Sequence, residues 1–149
     1  MTLTVATYEG RCHCGALGFE FSTGIPPAEW AVRACQCAFC RAHAAACTAD
    51  PSGSVTFRHA TEAMLHRYRF GLHTADFLLC RNCGVYLGAV LTTARQSFAT
   101  LNTRVMPSLP LSMPCPQPIT YGHESVESRV QRRQSRWTPV AEYARASIP

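Results

Sequence analysis

The chain lacks the marks of a membrane-spanning, secreted or repetitive protein. No apolar run approaches the roughly 20 residues of a spanning helix. Met1–Gly10 has neither the basic start nor the continuous apolar stretch of a secretory leader. No repeat of solenoid or propeller length is present. Charge is scarce, at 15% of residues against 47% hydrophobic, a balance that reads as globular rather than disordered. At 149 residues the expectation is one domain able to bury its own core. There is also no basic stripe interleaved with aromatics, which argues against a nucleic-acid partner.

Cysteine is what the chain has in unusual supply. Of nine, seven fall in three clusters: Cys12-His13-Cys14-Gly15, Cys35-Gln36-Cys37-Ala38-Phe39-Cys40 and Cys80-Arg81-Asn82-Cys83-Gly84. Buried free thiols do not explain spacings of one and two residues. Disulfides fit poorly, because C-x-C pairs meet their geometry badly. An iron–sulfur cluster would suit four of the seven but not a remainder of three. Zinc uses four protein ligands in a closed structural site and three in a catalytic site with an open position. The two outer pairs each run into glycine, which turns around a bound sulfur at positive φ without a Cβ penalty. Cys12, Cys14, Cys80 and Cys83 are therefore expected to form the closed site. Cys35, Cys37 and Cys40 would form the open one, giving two Zn2+ per chain. Seven thiolates and two divalent cations bring the formal charge of +5 down to about +2, so bulk charge does not argue for a polyanionic partner. Reduced thiols at metal spacing point to a reducing compartment, the cytoplasm.

Between the clusters, short strands are expected over residues 2–9, at Leu17–Phe21, from Trp30 to the central cysteines, at Val55–Phe57, and in a hairpin that turns at Gly71–Thr74. Two more are expected at Val85–Leu91 and Ser97–Leu101. Arg41–Cys47 is alanine-rich enough for a helical turn, and Asp50-Pro51-Ser52-Gly53 is a turn. The fold class is mainly β, with antiparallel strands around metal turns. Pro107–Pro118 holds five prolines in twelve residues and reads as irregular chain on the surface. Residues 124–136, with Arg129, Arg132, Arg133 and Arg136, read as a solvated surface helix pinned by Trp137. The expected division is a zinc-binding β domain over 1–123, with a polar tail or helix over 124–149 packed on it.

These motifs, with Tyr68-Arg69-Phe70-Gly71, resemble the glutathione-dependent formaldehyde-activating enzyme family, which includes relatives of centromere protein V. The resemblance spans roughly residues 10–105. It implies a tent of small antiparallel sheets and the same division of cysteines, structural and catalytic. It further implies a carbon–sulfur lyase run in reverse, joining glutathione to formaldehyde as S-(hydroxymethyl)glutathione. Two features depart from the family pattern: Gln36 where many members have histidine, and Ala44-Ala45-Ala46 where they have a glycine.

Thiolate ligation makes zinc a weak acidifier of water and a better acceptor of sulfur, which favours thiol-adduct chemistry over hydrolysis. Glutathione is anionic, and Arg41, next to Cys40, is the first candidate for a carboxylate contact; Arg33 and Arg81 follow. His43 offers the rival reading. If it ligates, the second site closes and the protein becomes a non-catalytic zinc-stabilised binding or scaffold module. His13 is expected to face solvent, Cys47 to be a core thiol and Cys115 a loop residue.

Overall fold

The computed structural model describes residues 4–142. Eleven strands form one continuous pairing network with two wings. The first wing pairs β1 (Ala6–Arg11), β2 (Leu17–Thr23) and β5 (Ser54–His59) antiparallel. The second holds the meander of β6 (Leu65–Tyr68), β7 (Asp76–Cys80), β8 (Tyr86–Thr92) and β9 (Ser97–Asn102). Beyond β9 lie β4 (Cys47–Thr48), β3 (Arg33–Cys35) and β10 (Gln117–Ile119). β11 (Thr138–Glu142) joins the wings, parallel to β5 and antiparallel to β9.

Period-two alternation places the main core. In β2, Leu17, Phe19, Phe21 and Thr23 are buried while the residues between them are half-exposed. Leu17, Phe19 and Phe21 meet Trp30, Val55, Leu78, Leu87 and Leu101 in one cluster. β8 is buried along six of its seven residues, as expected of a continuous apolar run covered on both faces. The second cover is α2 (Val126–Arg136), whose Val130 and the following Trp137 pack on Ala75, Ala89 and Leu91.

Several boundaries differ from expectation. The first strand begins at Ala6 rather than residue 2; residues 2–3 lie outside the described residues. Trp30 and Val32 are buried but precede β3, which is only three residues long. The helix near the central cysteines, α1, spans Ala38–Ala42 instead of Arg41–Cys47. The Cys37 thiol accepts the Cys40 N–H as an N-cap, and Ala44 leaves the helix at φ 48°. The proline-rich segment is irregular until Gln117–Ile119, which runs parallel to β3 as an edge strand, where a residue without an N–H is tolerated.

α2 is helical as expected but not merely solvated. Glu124 accepts from Arg129 and Arg132 at 2.7–3.1 Å, and Arg133 is buried. Residues 143–149 of the expected tail lie outside the described residues. No helix among the described residues is long and apolar enough to cross a membrane.

Candidate metal and substrate site

Cys12 and Cys14 follow β1, and Cys80 and Cys83 flank the turn after β7. The four sulfurs lie within 4.8 Å of one another. Cys12 and Cys14 are 3.7 Å apart and Cys14 and Cys80 3.6 Å. A tetrahedron of Zn–S bonds near 2.3 Å sets its sulfurs about 3.8 Å apart, so the donor set fits zinc. The turns are built alike. Gly15 N–H donates to Cys12 O at 3.1 Å and Gly84 N–H to Cys80 O at 2.8 Å, with φ of 81° and 77°. Backbone N–H groups of Leu17 and Cys83 point at the sulfurs of Cys12 and Cys80. Cys14 is drawn down to about 6, chiefly by a hydrogen bond from Asn82. Such donors favour thiolate, the form that binds metal. His13 is exposed, as expected.

The second cluster gathers Cys35 from the end of β3, Cys37 from the cap of α1 and Cys40 from within it, again within 4.8 Å. The hydrogen bond between Cys40 and Cys35 draws Cys35 down to about 5 and, with burial, pushes Cys40 far up. A divalent cation at their centre would serve all three as thiolates, and the all-sulfur donor set fits zinc. His43 is not part of this group. It caps the C-terminus of α1, and its ring lies 4.5 Å from that of Phe39.

Two cavities open on this cluster, the first on Cys35 and Cys40 and the second on all three cysteines. The first, of about 240 Å³, lies between α2 and the sheet; its lining includes Cys35, Cys40, Cys47, Tyr86, Arg133 and Trp137. The second, of about 480 Å³, lies along α1 and is lined by all three cysteines, Phe39, Phe70 and Arg129 among others. Cys35, Cys40, Phe77, Tyr121 and Arg133 belong to both. Phe39 is the hub of an aromatic wall, with Phe70, Phe77 and Tyr86 each at 5.0 Å. Behind it, Tyr86 and Cys47 share a hydrogen bond. Burial pushes Cys47 up to about 12 and Tyr86 well above the usual phenol range, so both keep their protons.

The expected substrate contacts divide. Arg33 lines the inner cavity, whereas Arg41 and Arg81 are exposed and line neither. Cys115 is exposed, as expected of a loop residue. Sequence reasoning missed Tyr121, Arg132 and Arg133, which come from the proline-rich segment's end and from α2. The four arginines of residues 129–136 carried the signal, but not which of them turns inward.

The comparisons with known proteins agree with this geometry. No curated protein matches the chain. A crystal structure of a Rhodobacter sphaeroides protein superposes with a TM-score of 0.51 at 23% identity, covering 76% of this chain and 99% of that one, a likeness of fold. The family model of the glutathione-dependent formaldehyde-activating enzyme matches residues 7–110, a stretch that contains all seven clustered cysteines. The chain belongs to the glutathione-dependent formaldehyde-activating enzyme family.

Proposed function

We propose that the chain is a zinc-dependent carbon–sulfur lyase, or synthase in reverse, acting on adducts of glutathione or a similar thiol with an aldehyde. S-(hydroxymethyl)glutathione, formed from formaldehyde, is the adduct that the family's name suggests. In the synthetic direction the thiol S–H bond breaks, a C–S bond forms, and the proton ends on the former carbonyl oxygen. One observation carries the reading: Cys35, Cys37 and Cys40 converge without His43, beside two cavities. Zinc held there would accept one further sulfur and lower that thiol's affinity for its proton.

The protein's own groups do the rest. Phe39, Phe70 and Phe77 form an apolar wall beside the cluster. Cys47 and Tyr86, both protonated, line the back of the site. The larger cleft is within the usual size range of ligand sites, and it suits a thiol the length of a tripeptide. Arg41, exposed just after Cys40, is a proposed contact for the far carboxylate of such a thiol.

Glutathione titrated into cobalt-substituted protein tests the reading. Cobalt–thiolate bands in the visible report the number of sulfur ligands. A saturable change in about half of the bound metal is expected, because the closed four-cysteine site cannot take another sulfur. Unchanged bands with both sites loaded would mean the second site is also closed, and the scaffold reading would replace the enzyme.

A further inference from the structure

Arg133 stands out among the residues around the smaller cavity. It is 8% exposed. Its Nη1 donates to Thr74 Oγ1 at 2.7 Å, and its guanidinium lies 4.7 Å over the Trp137 ring. Its Nε is buried and donates to nothing among the described residues. The nearby carboxylate of Glu124 is taken by Arg129 and Arg132, so Arg133 has no ion pair among the described residues. A buried guanidinium with an unused donor is costly unless an anion meets it.

The cavity it faces has the right character for that anion. No carboxylate lines it, while Arg33, Arg132, Arg133 and Arg136 do. The remaining walls are largely apolar, with Phe77, Ala89 and Trp137. At about 240 Å³ it is smaller than the roughly 300 Å³ at which drug-sized ligand sites begin, so its occupant is short. Arg133 also reaches the boundary between the two cavities, where Cys35 and Cys40 lie. Arg133 and the rest of α2 fall outside the stretch matched by the family, residues 7–110.

We propose that the smaller cavity is a carboxylate subsite, in which Arg133 holds a short oxo-acid whose aldehyde carbon meets the thiol at the cysteine cluster. The step is addition of R–SH to OHC–COO⁻, giving R–S–CH(OH)–COO⁻. The S–H bond breaks, the C–S bond forms, the proton ends on the aldehyde oxygen, and the carboxylate is unchanged. The reaction part rests on the proposed function; the carboxylate subsite stands without it.

Binding is tested first, with zinc-loaded protein and inert probes. Trp137 lines the cavity and reports occupancy by fluorescence. Propionate is expected to give a saturable change and propionamide none, with affinity for propionate at least tenfold weaker in Arg133→Gln. The charged and neutral probes discriminate on the unaltered protein even if that variant fails to fold. If propionate leaves the signal unchanged, Arg133 is the counter-cation of the thiolate cluster and the inference is overturned.

Turnover is then compared for glyoxylate and formaldehyde, with glutathione and with 2-mercaptoethanol. A lower KM for glyoxylate than for formaldehyde, with the ratio of the two collapsing at least tenfold in Arg133→Gln, supports the assignment. A KM rise for glutathione alone, with both aldehydes alike, would move the carboxylate to the thiol and overturn it. Propionate binding without turnover of any pair would sink the proposed function and leave the carboxylate subsite standing.

Discussion

Gly15 and Gly84 close their cysteine turns at positive φ, and a Cβ at either would meet nothing within 4 Å. Their requirement is conformational rather than steric. The central turn closes instead on Ala44 at φ 48°. Arg104 Nε donates to its carbonyl at 3.2 Å, and the Thr103 hydroxyl donates to Ala46 O at 2.6 Å. A left-handed alanine costs about 1–2 kcal/mol, and glycine's extra chain entropy takes back about half of that. Ala44→Gly is therefore expected to stabilise the protein by about 0.5–1 kcal/mol, and Gly84→Ala to destabilise it by a similar amount. Urea midpoints of the zinc-loaded proteins measure both. Alanine at this turn is then a cost in stability.

α2 is held at its start by a capping box between Ser125 and Ser128, and by Glu124 beneath Arg129 and Arg132. Hydrogen bonds from Arg132, then Arg129, hold the Glu124 carboxyl below the usual carboxylate range. A depressed folded pKa contributes stability that is complete above the unfolded value, about 4.3, and is lost as pH falls through the folded one. Trp137 fluorescence should thus report loosening of α2 only in acid below about pH 4. Glu124→Ala should cost about 2 kcal/mol at neutral pH and remove that acid step. The strands of the hairpins and the metal turns were readable from sequence because each depends on local pattern: alternation in Leu17–Phe21, or glycine directly after Cys14 and Cys83. The inward turn of Arg133 was not. Its neighbours Arg129 and Arg132 are equally basic, and only the position of Glu124, Thr74 and Trp137 in space separates them. The three-residue β10 was hidden for a related reason, since its pairing with β3 is long-range and its sequence is proline-rich.

For the whole molecule, a metal held by Cys12, Cys14, Cys80 and Cys83 would act as a clip between the first cysteine cluster and the third. It would close a loop of about 70 residues, a constraint on the unfolded chain of roughly 4 kcal/mol by loop entropy. Chelation, or Cys80→Ser, is expected to lower Tm by roughly 10 °C or more, read by calorimetry against the zinc-loaded protein. Cys35→Ser should leave Tm closer to normal, because Cys35, Cys37 and Cys40 lie within six consecutive residues and close no long loop. β11 fastens the wings from the other end, carrying the chain from α2 back between β5 and β9. The sulfurs and one wall of the smaller cavity thus come from separable stretches, since α2 and Trp137 follow the last clustered cysteine by more than forty residues. Substitutions in one surface helix can therefore reshape the smaller cavity while both cysteine clusters stay as they are.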